Sequence, residues 1–448
     1  MPNSNPFFHR GPVRDPAYFF GRRQETGQIL SLLGNGQSIA LIGQRRMGKT
    51  SLLFHLSAPA VFAQHGLSST QHLFIYIDCG GLAGLDPPGL YRLLLEEISE
   101  VLVERGAAPG PPALPDEANS LTYRAFERAL REVTRQGWKL ILLLDEFERL
   151  SRNPHLDPDF FSGLRALTAR YPIAYVTASR QPLLELTYAD ASALSSPFFN
   201  IFASIRLSPF AEADARDLLT SLATRGGLTF DPPLLDFLLD LAGPHPLFLQ
   251  IAGFHAFELA QERPDRFSKP VRSDDAELRR RFLASVEEHF GYYWRNLSAE
   301  EQRVLATLPA AQSSQPIIIH QLERTCLIIR RNDRYDYLSS TFRAFVQAQP
   351  LPGMLQAGPI AIDKSQRQAL LHGQALNLTP TQYTLLTYLV EQAGQVVTNE
   401  VLEQAVWGEE YIEDPERLKS VIKGLRQSLG AEAARLENVR GVGYRFLP

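Results

Sequence analysis

Cysteine is nearly absent from this sequence: among 448 residues only Cys79 and Cys326 carry a thiol. Two cysteines so far apart indicate neither a disulfide framework nor a cysteine metal site. Long hydrophobic runs are missing as well, and none approaches the roughly 18 apolar residues that a membrane-spanning helix requires. The opening stretch, MPNSNPFFHRGPVRDP, lacks the charged-then-apolar pattern of a signal peptide. Nor does one sign of charge prevail, since 45 Lys and Arg stand against 49 Asp and Glu, a net charge of −4. The chain as a whole therefore gives no electrostatic case for nucleic acid or membrane, and any such case must be local. A cytoplasmic protein with no membrane partner is expected. What is present is an ordinary globular composition, 44% hydrophobic and 21% charged, in a chain with room for about three domains.

Short aliphatic runs alternate with amphipathic stretches over the first half. Residues 37–43 (QSIALIG), 72–78 (HLFIYID), 138–145 (WKLILLLD) and 173–179 (IAYVTAS) read as buried strands, with helices between them at 88–105 and 119–136. That alternation predicts a parallel sheet covered by helices on both faces. The Pro-rich segment 106–118 reads as a loop between two of those helices.

Straight after the first strand, GQRRMGKTS fits the phosphate-loop pattern G-x-x-x-x-G-K-[ST], with Gly43, Gln44, Arg45, Arg46, Met47, Gly48, Lys49, Thr50 and Ser51 as candidate nucleotide-binding residues. Backbone N–H groups and the start of the following helix would face phosphates. Lys49 would reach the β- and γ-phosphates of ATP and Thr50 would hold Mg²⁺. A strand later, Asp145 and Glu146 stand at the C-terminal end of LILLL, the end at which ligands sit in open α/β sheets. Asp145 is the second candidate for the Mg²⁺ shell, and Glu146 the candidate general base toward water. A solvated acidic strand end is the alternative. Ser179 and Arg180 end the fourth strand, where Arg180 would sense the terminal phosphate or would merely cap the strand. In YFFGRRQE, Phe19, Phe20 or Arg22 would approach the adenine, or the aromatic pair would serve as a packing staple.

The phosphate loop, LLLDEFERL, VTASR, the upstream FFGRR and the downstream GPHPLFLQIAG together resemble the STAND group of P-loop ATPases, over roughly residues 10–350. The resemblance implies a nucleotide clamped between an ATPase core, a helical lid and a winged-helix module, with ADP and ATP favouring different arrangements. It also implies that Gly243, Pro244 and Pro246 belong to a lid loop near the nucleotide, although a Gly-Pro break between helices 232–242 and 247–260 explains them equally well. Within 292–348, Ser298 and Glu301 have capping-box spacing, and CLIIRRNDRYDYLS reads as a hairpin turning at Asn332–Asp333. The arginines of the helices around 275–290 read as a solvated face.

QPLPGMLQAGP (349–359) has the composition of a linker. Beyond it, Thr379, Pro380 and Gln382 open a helix, Thr398 caps a second, and Asp414–Pro415 start a third that Gly430 ends. On the third, Leu418, Val421, Ile422, Leu425 and Leu429 share one face, which turns Lys419, Ser420, Lys423 and Gln427 the other way with Arg417 and Arg426 on the flanks. From 417 onward seven basic residues (Arg417, Lys419, Lys423, Arg426, Arg435, Arg440, Arg445) face two acidic ones (Glu432, Glu437), whereas 400–416 is acidic with no Lys or Arg. A basic helix face on a compact domain is the electrostatic footprint of DNA binding. LTPTQYTLLTYLVEQAGQVVTNEVLEQAVW, LKSVIKGLRQSL and VRGVGYRF resemble the winged-helix effector of OmpR/PhoB-type response regulators. The resemblance implies a recognition helix in the major groove of double-stranded DNA, Arg440 and Arg445 at a phosphate or minor groove, and contact between loop 408–414 and RNA polymerase. Val421 and Gly424 depart from the polar and basic residues usual on that helix, and the family's receiver domain is replaced by the ATPase. A winged helix used only for protein contacts is the alternative.

The expected architecture is multidomain α/β plus α: an N-terminal arm (1–17), a P-loop ATPase core with a parallel sheet (18–207), a helical lid (208–290), a middle winged helix (291–348), a linker (349–359) and a C-terminal winged helix-turn-helix (360–448). The expected function is an ATP-dependent switch, with slow hydrolysis through Lys49, Glu146 and Arg180, that binds DNA and regulates transcription. A second copy of the chain is compatible with this reading as a further partner. Two other readings stand beside it: a DNA-associated ATPase of defence or transposition that assembles with ATP, and a phosphotransferase acting on a small molecule, for which no acceptor pocket is apparent.

Overall fold

The structure is a computed structural model that describes residues 4–7, 10–106, 121–187, 197–262, 276–308, 315–350, 353–364, 367–372, 374–408 and 415–448. It forms two compact units, residues 1–289 with 320–343, and residues 290–319 with 344–448.

The first unit is built on strands β1 (Ser38–Ile42), β2 (His72–Asp78), β3 (Lys139–Asp145), β4 (Ile173–Ser179) and β5 (Phe202–Arg206) in the order β2-β3-β4-β1-β5. All neighbours run parallel. β1 and β4 are buried along their whole length, as strands covered on both faces must be, and apart from Tyr175 their residues are aliphatic or small. β5 lies at the edge with only Ile205 buried, so it lacks the aliphatic run that made the other four legible. One face of the sheet is covered by a cluster that joins Leu94, Ile98, Phe126 and Leu130 to Leu142 and Tyr175. The other face packs Ile29, Leu33, Leu52, Leu56 and Phe62 against Ile39, Leu41, Ile141 and Val176. The helices supplying these residues are stopped and started by ordinary chemistry: Asp86 caps Pro87–Glu104, Thr122 caps Tyr123–Arg135, and Asp157 caps Pro158–Arg170.

Three further helices, Glu212–Arg225, Pro232–Ala242 and Pro246–Glu262, follow the sheet in the stretch expected as a lid. At the break between the last two, Gly243 has φ 63° and ψ −178°, a region open to glycine alone. A Cβ there would lie 2.1 Å from the carbonyl oxygen of Leu338. The hairpin of β6 (Ile328–Arg331) and β7 (Arg334–Tyr337) is thereby brought against the lid, turning at Asn332 and Asp333, both with positive φ. Thr341 Oγ1 completes the contact by donating to Leu241 O at 2.6 Å.

In the second unit Ser298 and Glu301 form the expected capping box at the start of Ala299–Ala306. The capped helix and the β6–β7 hairpin, both expected in one middle module, thus fall in different compact units. The stretch 349–359, expected as a linker, contains β8 (Met354–Ala357). With β9 (Ile360–Asp363), β10 (Gln368–Leu371) and β11 (Gln374–Ala375) it makes a four-stranded antiparallel sheet. Residues 351–352 of this stretch lie outside the described residues; Gly358, with φ 57°, turns β8 into β9, and Ala357 and Ile360 are both buried. Helices Pro380–Glu391, Asn399–Trp407 and Pro415–Leu429 follow, with a sheet of β12 (Val396–Thr398), β13 (Leu436–Val439) and β14 (Gly443–Phe446) in the order β12-β14-β13. The core joining Ala357, Ile362, Leu386, Leu402, Ile422, Leu425 and Phe446 draws every member from residues 357–446. Asp414, the expected cap of the third helix, and most of loop 408–414 lie outside the described residues. Among the described residues no helix is long and apolar enough to cross a membrane.

Candidate nucleotide site and nucleic-acid interface

The phosphate loop leaves β1 at Gly43, whose N–H donates to Ser179 O of β4 at 3.0 Å. A Cβ at Gly43 would lie 3.2 Å from Leu207 Cβ, so close packing restricts this position. Gly48 has open space around it but φ 86°, so backbone conformation restricts it instead. Helix Lys49–Ser57 starts immediately after, and its side chains complete the cradle. Lys49 Nζ donates to Gly43 O at 2.7 Å and to Gln44 O at 3.1 Å, folding the ammonium into the loop. Burial pulls that ammonium down to about 8, against the carboxylates of Glu148, Asp145 and Glu146, while Arg180 adds to the lowering.

Thr50 Oγ1 donates to Asp145 Oδ2 at 2.6 Å, which joins two motifs 95 residues apart. The topology explains the meeting: β4 lies between β1 and β3, so both motifs leave the same edge of one parallel sheet. Asp145 is buried, and Oδ2 also accepts from Tyr76 OH at 3.1 Å across the β2–β3 pair. Oδ1 accepts from the N–H of Glu146 at 2.9 Å. Glu146 itself is exposed in a left-handed conformation, φ 48°, as the residue before the one-turn helix Phe147–Ser151. Gly80 leaves room for it, since a Cβ there would approach Glu146 Oε2 to 3.2 Å.

Arg180 follows β4, and its Nε lies 3.2 Å from Glu148 Oε1. The Ser179 hydroxyl is turned aside, donating to Gln181 O at 2.7 Å. Glu148 and Tyr76 were not singled out from sequence. Glu148 lies one helical turn beyond Asp145, and the end of β2 aligns with the end of β3, a register that sequence alone does not reveal.

The N-terminal segment also reaches the phosphate-loop helix, where Val13 N–H donates to Ser51 Oγ at 3.0 Å. Phe19 stacks on His55 at 4.1 Å between centroids, which is the packing role considered for the aromatic pair. Arg22 is buried, donating to Ser208 O at 2.7 Å and to Met47 O of the phosphate loop at 3.4 Å. A cavity of about 520 Å³ opens nearby, lined by Val13, Arg14, Asp15, Tyr18, Arg225 and Gln250 among others. Gln250 stands one turn beyond Pro246, the first residue of its helix, and Pro246 is half-buried. Arg45 and Arg46 are exposed, while Met47 is buried in the core.

At the other end of the chain, helix Pro415–Leu429 buries Leu418, Ile422, Leu425 and Leu429 and leaves Lys419, Ser420, Lys423 and Gln427 exposed. Val421 packs partly into the core, and a Cβ at Gly424 would lie 2.4 Å from Gln382 Nε2. The two residues that depart from the family pattern are therefore engaged with the body of the domain. Arg417 sits over the Trp407 ring at 4.4 Å. Arg426 donates to Leu436 O at 2.7 Å, tying the helix to β13, and Arg445 pairs with Glu437 across the hairpin at 2.6 Å. Lys419 pairs with Glu416 at 2.7 Å, an exposed contact that a competing phosphate can replace. Lys423 and Arg440 are exposed, Arg440 at the hairpin turn beside Gly441 with φ 75°.

Comparison with known proteins follows the same division. Residues 119–314 match the family described as Novel STAND NTPase 2, and residues 373–446 match the family Transcriptional regulatory protein, C terminal. The chain thus carries a STAND-type NTPase domain and a C-terminal DNA-binding domain of OmpR/PhoB type. The phosphate loop itself precedes the matched NTPase stretch. The Walker-type ATPase paby2304 of Pyrococcus abyssi has a similar fold, with a TM-score of 0.55 and 16% identity, covering 76% of this chain and 99% of that one. Sensory transduction protein RegX3 of Mycobacterium leprae is 34% identical over 97 residues, 21% of this chain and 49% of that protein. The RstA DNA-binding domain of Klebsiella pneumoniae, solved with the RstA box, is 28% identical over 21% of this chain and 97% of that one, with a TM-score of 0.20. This chain spans about half the length of the curated relatives it matches.

Proposed function

We propose that the protein is a DNA-binding transcription regulator whose DNA-bound state is set by ATP. The observation that carries this reading is the Thr50–Asp145 hydrogen bond at 2.6 Å, which assembles a phosphate-loop site in a chain that ends in a basic winged helix. The residues fit a nucleotide with Mg²⁺. Lys49 lies folded on carbonyls of the loop, from which a phosphate would draw it, and the Thr50 hydroxyl and Asp145 carboxylate together form an oxygen donor pair suited to a hard cation. Bound there, Mg²⁺ would neutralise charge on the β- and γ-phosphates. Gly43 to Ser51 would cradle the phosphates, Glu146 would orient and deprotonate the attacking water, and Arg180 would respond to the terminal phosphate. The cavity beside Val13 and Gln250 would take the base. Lys419, Ser420 and Lys423 would face a major groove and Arg440 a phosphate or minor groove, while Arg417, Arg426 and Arg445 would support them from the flanks.

Two measurements test this. Lys49→Ala should abolish ATP binding, and Glu146→Gln should keep binding while stopping hydrolysis. Unchanged ATP affinity in the first, or normal turnover in the second, defeats the corresponding role. Mapping of bound DNA in cells should then give discrete promoter sites that depend on Lys49. ATP-driven coating of DNA without site preference would favour an assembling ATPase of defence or transposition instead.

A further inference from the structure

The acidic residue with the least ordinary surroundings in the nucleotide site is one the reading above leaves without a task. Glu148 stands on the one-turn helix Phe147–Ser151, paired with Arg180 and within electrostatic reach of Lys49. Its side chain is 12% exposed. One oxygen, Oε1, lies 3.2 Å from Arg180 Nε. The other, Oε2, is buried and accepts no hydrogen bond from the described residues. A half-satisfied buried carboxylate is a costly arrangement that calls for an explanation, a functional role among them. Glu148 also heads the carboxylates that favour the charge of Lys49, so its negative charge lies close to the place where phosphates would arrive.

We propose that Glu148 is a positioning residue that holds Arg180 in reserve: it binds the guanidinium when no terminal phosphate competes for it, and yields it to the γ-phosphate of ATP. This rests on the nucleotide-site reading above. The Glu148 carboxylate and a terminal phosphate would compete for the Arg180 guanidinium, since both accept charge-assisted hydrogen bonds. ADP has no γ-phosphate, so it leaves the Glu148–Arg180 pair intact. ATP must break the pair, and the affinity spent in doing so reduces the preference for ATP over ADP. The pair therefore sets the ratio of ATP to ADP at which the site changes state, without touching the β-phosphate contacts that both nucleotides share.

The sign of the effect separates this role from a structural one. In E148Q the full chain keeps the shape of the side chain but loses its charge, so the ion pair with Arg180 is lost. Preference for a non-hydrolysable ATP analogue over ADP, from the two dissociation constants, should rise about five-fold relative to wild type. E148D retains the charge and should keep the wild-type preference. R180A should lower the preference, and adding E148Q to R180A should leave it within about two-fold of R180A alone, because the contested group is gone. An unchanged or lowered preference in E148Q overturns the proposal. An equal rise with Arg180 removed overturns it too, since that would be plain repulsion between carboxylate and phosphate. Wild-type protein that binds neither nucleotide would instead defeat the nucleotide-site reading, while wild-type binding with an E148Q ratio that does not move defeats the Glu148 role alone.

Discussion

Lys49 is the residue whose chemistry most directly links folding to ligand binding in this chain. Its ammonium is held below its ordinary value by burial, to about 8, with the surrounding carboxylates limiting the fall. Below that pH the free protein carries the charge that phosphates need. As the pH rises through about 8 the proton is lost before binding, so a phosphate must recapture it and affinity falls, by at most about tenfold per pH unit. Titrating ADP into the protein between about pH 7 and 9.5 should show the dissociation constant rising from about pH 8, and Lys49→Arg, charged throughout, should be flat. A flat wild-type profile would mean that Lys49 does not meet phosphate as its charged form. The lysine, Thr50 and Asp145 were legible in sequence because the pattern of the phosphate loop and the acidic end of an aliphatic strand are local. Glu148 and Tyr76 were not, because their roles arise from which strand lies beside which. The reverse also holds: Arg426 and Arg445 stand in the sequence only as two of seven basic residues, yet one donates to a carbonyl of β13 and the other pairs with Glu437.

Among the elements, the recognition helix and its hairpin divide their basic residues into two groups. Lys423 and Arg440 stand exposed, whereas Arg426 ties the helix to the strand that carries the hairpin. Lys423→Ala or Arg440→Ala should leave the melting temperature unchanged. Each should weaken duplex binding and reduce the slope of log affinity against log salt by about 0.9 if it meets one phosphate. Arg426→Ala should instead lower stability by about 1.5–3 kcal/mol, the worth of one hydrogen bond from a charged donor to a carbonyl that loses its partner. Equal effects of all three on DNA binding, with no difference in melting, would contradict this division. The helix faces were readable because periodicity reports burial directly, as the buried row from Leu418 to Leu429 shows. Two elements escaped the sequence for opposite reasons. β5 is an edge strand and carries too few aliphatic residues to announce itself. β8 hides in a Pro- and Gly-rich stretch whose turn residues look like a linker until Ala357 is seen in the core. Gly424, which looks like a weakened DNA contact, is explained by the close approach of Gln382.

For the whole molecule, the phosphate-loop sheet and the winged-helix core each draw on their own stretch of chain, residues 29–207 with Cys326 for one face of the sheet and 357–446 for the reader. Among the described residues neither core includes the other's, so each could keep its fold through a change of state. A nucleotide acts on DNA binding only to the extent that it binds two states of the chain with different affinity; tight binding alone shifts nothing. If ATP and ADP differ in this way by about 1–3 kcal/mol, a usual range for coupled sites, DNA affinity should change by about five- to 150-fold between them. The full chain should therefore bind its DNA site more tightly with a non-hydrolysable ATP analogue than with ADP. A fragment from residue 353 to 448, which retains the whole core of the reader, should not distinguish them. Linkage adds a stricter demand. The DNA site must raise the preference of the full chain for the analogue over ADP by the same factor by which the analogue raises its preference for DNA. Two independent titrations, nucleotide into protein with and without DNA and DNA into protein with each nucleotide, should close on one number. If DNA affinity is the same with the analogue, with ADP and with neither, the nucleotide and the DNA reader share a chain without sharing a switch, and hydrolysis must serve some step other than the choice of site.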